Sequence, residues 1–134
     1  YLTLVENHKL MIDFQQSLWR SLKSHVSPHL INQDLYSLKT LPLKNSDLVV
    51  LGYVLGELSP ALREEVILQA WQRTRHYCVI VTPGTPYDFD YLLTVRHLLL
   101  QQGAMLVAPC PHSHACPLAS TSDWCHFSVR LQRS

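Results

Sequence analysis

The chain has 134 residues, with 11 Lys and Arg against 10 Asp and Glu, a formal charge of +1 at pH 7, and 47% hydrophobic against 16% charged residues. That length allows one domain with a real core, and the balance excludes a disordered tail and any bulk electrostatic pull toward nucleic acid. No apolar run is long enough for a membrane span, and the first residues lack the pattern of a secretion signal.

In chain order, Tyr1–Val5 is β-rich and ends in Glu6-Asn7. The spacing of Leu10, Met11, Phe14, Leu18 and Leu22 predicts a helix from about His8 to Lys23 with those residues on one face. Ser27-Pro28 breaks it, a short strand is expected over His29–Gln33 before Asp34, and Leu35–Ser46 reads as loop. Leu48–Tyr53 is an apolar strand. Ser59-Pro60 then starts a helix, with serine as cap and proline at the first helical position. This helix is expected to run to about Arg75 and to bury Leu62, Val66, Ala70 and Trp71. Tyr77–Thr82 is the next strand, and Thr85-Pro86-Tyr87-Asp88 starts another helix that Gly103 ends. Ala104–Ala108 reads as a further strand, and Cys125–Leu131 alternates like a last one.

Apolar strands separated by helices predict an α/β fold with a parallel sheet covered on both faces. The last two strands, joined without a helix, predict an antiparallel edge pair. Open α/β sheets bind ligands beyond the carboxyl ends of their strands. The segments to watch are therefore Glu6-Asn7, Asp34-Leu35, Gly52–Glu57, Thr82–Pro86 and the loop that carries most of the cysteines.

Three of the four cysteines fall in that loop: Cys110 and Cys116 within Pro109–Pro117, and Cys125 beside Trp124 and His126. Soft donors this close together, in a proline-stiffened segment, point to a metal or iron–sulfur site in a reducing compartment. A zinc ion completed by His112, His114 or His126 is one alternative, and a metal-free structural loop is another. Cys78 stands apart in an apolar strand. About four residues, at roughly 3.3 Å each, separate it from the level of Cys110, too far to share a cluster, and it reads as core.

Val49–Leu58 (VVLGYVLGEL), Val81–Pro86 (VTPGTP), Ala108–Pro117 (APCPHSHACP) and Trp124–Ser134 (WCHFSVRLQRS) resemble the methyltransferase-like family associated with the small ribosomal subunit. The resemblance runs from about Asp47 to the end of the chain, with weaker support upstream. It implies a partial class I S-adenosylmethionine-dependent methyltransferase sheet, Rossmann-like, with an antiparallel C-terminal strand pair. Residues 1–134 would then be a partial domain lacking the first strand and its glycine-rich turn. Such a piece is expected to rearrange, to dimerise, or to need the N-terminal part of the same protein.

By that resemblance, Glu6 would accept hydrogen bonds from the S-adenosylmethionine ribose, Asp34 would lie near the adenine, and Gly52 and Tyr53 would flank the methionine moiety. Cys110, Cys116 and Cys125 would ligate a 4Fe–4S cluster whose fourth ligand lies downstream. The implied partner is the small ribosomal subunit and its ribosomal RNA, with no membrane. The WCHFS form looks more like the bacterial branch, which implies the cytoplasm; the mitochondrial matrix is the alternative. The implied role is methyl transfer on or around ribosomal RNA, or a non-catalytic assembly factor that keeps the fold as an RNA-binding scaffold.

Other residues have plainer readings beside functional ones. Glu57 could act as a base or be a solvated helix-terminal acid. Ala108-Pro109-Cys110 is similar to the nucleophile loop of cytosine-carbon RNA methyltransferases, but it follows the penultimate strand where theirs follows the fourth. Arg73, Arg75 and His76 suit the negative end of a helix dipole; Arg130 and Arg133 could meet phosphate or simply face solvent. Trp19, Trp71 and Trp124 read as core.

Overall fold

In a computed structural model the described residues are 1–22 and 25–132. Lys23, the expected end of the first helix, and Arg133 lie outside them. The chain divides into two compact units, Tyr1–Leu43 and Lys44–Ser134.

The first unit is a β-α-β unit. Strand β1 (Leu2–Glu6) pairs in parallel with β2 (Pro28–Asn32), from Leu2 opposite Pro28 to Glu6 opposite Asn32. Helix α1 (Lys9–Ser21) connects them. Asp34 then caps a single 3-10 turn, Leu35–Ser37, by accepting the Tyr36 amide at 2.9 Å. The apolar face of α1 is not the buried one. Leu10, Met11, Phe14, Leu18 and Leu22 are exposed, while Ile12 is buried and Gln15 and Trp19 are half-buried. The stripe at positions 12, 15 and 19 is offset from the one read off the apolar spacing. Periodicity identifies an apolar stripe, but burial needs a surface opposite it. The Trp19 indole helps fix the inward stripe by donating to the Val26 carbonyl.

The second unit pairs β3 (Ser46–Gly52) in parallel with β4 (Thr74–Val81), from Leu48 opposite Tyr77 to Gly52 opposite Val81. Helix α2 (Pro60–Gln72) forms the crossover and packs on β4, and α3 (Pro86–Gln101) packs on α2. Both helices start as their sequences dictate. The Ser59 hydroxyl accepts the Leu62 amide at 3.4 Å, and Thr85 accepts the Asp88 amide at 3.1 Å, each ahead of a proline at the first turn. Gly103, at φ 83°, turns the chain out of α3, a conformation glycine adopts without a Cβ penalty. The core is Leu51, Leu55, Leu62, Val66, Ile67, Ala70, Phe89, Tyr91, Val95 and Leu99.

Two expectations need correction. The sheet is not covered on both faces: Leu48, Val50, Tyr77, Val79 and Val81 are 39% to 59% exposed. The helices α2 and α3 that follow these strands shield only one side. The antiparallel C-terminal pair is also not formed among the described residues, since both observed sheets are parallel pairs and residues 104–108 and 125–131 are irregular. Alternation is still visible, with Ala104 and Leu106 half-buried between exposed Met105 and Val107. A strand needs a ladder partner as well as a pattern, and a lone hairpin is marginal in water. Phe127, Val129 and Leu131 gain nothing from the apolar face they would make, being more than four-fifths exposed.

Leu55 is fully buried, just past β3. Leu55→Ala should lower unfolding free energy by about 2–5 kcal/mol in urea titration. Phe127→Ala should change it by less than about 0.5 kcal/mol.

Candidate functional site

In the first unit, the parallel register brings the two expected carboxylates to one end of the strand pair. Glu6 ends β1, and Asp34 lies two residues past β2. Glu6 Oε1 accepts the amides of Asn7 (3.0 Å) and His8 (2.9 Å), which turns the chain out of the strand and into α1. The Asn7 side-chain amide donates to Asp34 Oδ2 at 2.7 Å. Asn7 thus couples the two acids, a role that its place in a watched segment hinted at but did not specify. Two hydrogen-bonded carboxylates at a strand end are acceptors of the kind that ribose hydroxyls and an adenine amine require.

In the second unit, Gly52 ends β3 and Tyr53 follows in the left-handed region, at φ 58°, with its amide donating to Val81 O at 2.8 Å. A tyrosine there is strained relative to glycine. The turn that follows, Leu55–Glu57, is held from α2. Arg63 Nε donates to Leu55 O at 2.9 Å and its Nη2 to Leu58 O at 3.2 Å. The Arg63 guanidinium also lies over the Tyr91 ring, 4.1 Å from the centroid. Asp88 is buried nearby on α3, and the Thr85 hydroxyl donates to its Oδ2 at 2.5 Å. An added Cβ on Gly56 would stand 3.7 Å from Asp88 Oδ1 and 3.9 Å from the Tyr91 hydroxyl oxygen. Glu57 is exposed, and its amide donates to Val54 O.

Arg63, Asp88 and Tyr91 form a buried polar array at the exits of β3 and β4, and the sequence reading passed over it. A signal was present. Arg63 shares a helical stripe with buried Ile67 and Ala70, and Asp88 shares one with buried Tyr91, Val95 and Leu99. Charged residues at core positions mark polar groups that must find partners inside.

The cysteine loop follows α3 and begins with a cis Ala108–Pro109 peptide. Cys110, Cys116 and Cys125 are half-buried free thiols. Arg96 of α3 donates through Nη2 to the carbonyls of His112 (3.0 Å) and His114 (2.5 Å). The His112 and His114 rings are 5.6 Å apart, and His112 Nδ1 is buried without a hydrogen-bond partner among the described residues. Trp124 and His126 stack with centroids 5.0 Å apart. Among the described residues no three His, Cys, Asp or Glu side chains are grouped to hold a metal ion. The antiparallel pair expected to bring Cys110 and Cys125 together is not formed among the described residues.

Cys78 lies on β4 as expected, and burial pushes its thiol up, offset in part by a hydrogen bond with Thr74. The basic cluster sits at a helix end and the start of the next strand. Arg73 closes α2 on Gln69, with Nη1 at 3.0 Å from the carbonyl and 2.5 Å from Oε1. Arg75 and His76 both approach the exposed Asp47 carboxylate, at 3.9 and 3.6 Å. Trp71 and Trp124 are half-buried, donating to Gln102 O (3.3 Å) and Gly84 O (3.0 Å).

Parallel strand pairs joined by crossover helices place the chain among α/β proteins. More narrowly, the family model described as mitochondrial small ribosomal subunit Rsm22 matches residues 2–134, and the chain belongs to that family. It is 35% identical over 97 residues to the mitochondrial ribosome assembly protein METTL17 of Homo sapiens. That match covers 65% of this chain and 21% of the relative, so the chain spans about a fifth of the relative's length.

Burial, and next to it the neighbouring Asp88 carboxylate, push the Tyr91 phenol up to about 12. A raised folded-state value stabilises below the unfolded one, about 10, and that stabilisation is lost as pH rises toward 12. Unfolding titrations from pH 9 to 12 should therefore fall more steeply for the wild type than for Tyr91→Phe. Equal slopes would show that this phenol titrates normally.

Proposed function

We propose that this chain is part of a methyltransferase-like factor that associates with the small ribosomal subunit, works in its assembly, and acts on or binds ribosomal RNA. The observation that carries the reading is the match to the small-subunit family along residues 2–134. The similarity to a protein named for ribosome assembly supports it. The mitochondrial names of both matches support the mitochondrial matrix over the bacterial cytoplasm as its compartment.

S-adenosylmethionine is the cofactor in this proposal. By the family resemblance, Glu6 and Asp34 would serve the ribose and adenine, and Gly52 and Tyr53 the methionine portion. Support comes from the coupled acids at the end of β1 and from the strained backbone at Tyr53 after β3. When bound, the cofactor would supply an electrophilic methyl group. This chain's part would be to hold it in position. The iron–sulfur reading of Cys110, Cys116 and Cys125, with zinc as its alternative, rests on donor chemistry alone, and loading would have to draw the three thiols together. A scaffold without catalysis is the second reading, supported by a relative whose printed name gives assembly and no reaction.

The test uses the full-length protein. It should sediment with small subunits or their precursors on a sucrose gradient and cross-link to small-subunit RNA under ultraviolet light. Sedimentation as free protein without RNA cross-links would sink the proposal. Glu6→Gln should weaken S-adenosylmethionine binding by about tenfold in calorimetry while leaving subunit association intact. Labelled methyl appearing in the RNA would select the enzyme, and binding without transfer the scaffold.

A further inference from the structure

The segment that carries Cys110 and Cys116 has no helix or strand of its own, yet its backbone is tied down. Arg96 is half-buried on α3, and a single guanidinium nitrogen reaches two carbonyls, His112 at 3.0 Å and His114 at 2.5 Å. These are alternate residues between the two cysteines. Bonds from a charged donor are stronger than neutral ones, and partial burial protects them from water. The segment that carries Cys125 is fixed elsewhere. Trp124 Nε1 donates to Gly84 O at 3.0 Å, and the Trp124 ring stacks on His126. The His126 Cβ lies 3.2 Å from where a Cβ on Gly84 would stand, so the turn between β4 and α3 is closely packed against this segment.

We infer that Arg96 is a positioning residue that sets the shape of the Cys110–Cys116 loop through the protein's own hydrogen bonds, while Trp124 and Gly84 hold the Cys125 segment as a separate latch. The loop is ordered by contacts with α3, and the exposure of its thiols is governed by them. This holds whether or not the thiols ever take a metal, so it does not depend on the cofactor reading above.

Site-resolved alkylation tests it. Full-length protein, reduced and treated with chelator, is exposed to iodoacetamide, and each cysteine's rate is read by peptide mass spectrometry. Cys78 on β4 is the internal standard for opening of the sheet. Arg96→Ala should speed modification of Cys110 and Cys116 about tenfold, with Cys78 unchanged. Arg96→Lys keeps the charge but loses the planar fork, and should fall between the two. Trp124→Phe, which deletes the indole donor, should speed Cys125 and spare Cys110. Unchanged rates at Cys110 and Cys116 in Arg96→Ala would overturn the inference. So would a rise shared equally by Cys78 in both Arg96 variants, or a common rise at all three loop cysteines in Trp124→Phe.

Discussion

Parallel pairing is the constraint on which the rest of the molecule depends. Two parallel strands need a crossover that carries the chain back to its starting edge, so both strands of a pair release the chain at the same end. In the first unit this places Glu6 and the Asn32–Asp34 exit side by side, and Asn7 ties them together. In the second it places Gly52 opposite Val81, and the turns after β3 and β4 fall at one end. The polar chemistry of each unit is concentrated by topology before any side chain is chosen.

Holding those exits requires polar groups inside the protein. Arg63 and Asp88 are both less than a tenth exposed, which would be costly for unpaired charges. Each finds partners locally: Arg63 in the carbonyls of Leu55 and Leu58 and the face of Tyr91, Asp88 in the Thr85 hydroxyl. The donors stabilise a turn whose backbone carbonyls would otherwise be under-satisfied near the core. The same array draws α2 and α3 onto the β3 exit, with Leu55 fully buried beneath it. Apolar burial and polar satisfaction act here on one short segment.

Much of this was legible in the amino-acid order, and the failures have physical causes. Caps are local chemistry, so Ser59 and Thr85 announced the starts of α2 and α3 and Gly103 the end of α3, while α2, expected to reach about Arg75, stops at Gln72. The four observed strands were visible as β-rich runs. Which side of an element is buried depends on what lies opposite, and this defeated the reading of the β3–β4 face, while the apolar stripe of α1 gave no warning that it would stay exposed. Ladder formation is likewise non-local, so the alternation of Cys125–Leu131 did not become a strand. Of the site residues, Glu6 and Asp34 emerged at a shared strand end, whereas Arg63, Tyr91 and Arg96 were hidden because the Arg63–Tyr91 contact and the carbonyls that Arg96 reaches join positions far apart in the chain.

The cysteine loop separates two properties that are easily run together. Cysteine spacing says which soft donors a short segment can offer, and here it offers three with imidazoles between and beside them. Whether donors meet is decided by the backbone, and in this loop the backbone is shaped by an arginine on one helix and an indole bonded to the turn before it. A segment ordered by such contacts need not owe its order to an ion. Contacts of this kind can order a loop while its thiols stay half-buried. Donor identity therefore marks the chemistry this loop could support, while Arg96 and Trp124 set the conformation from which any such chemistry would have to start.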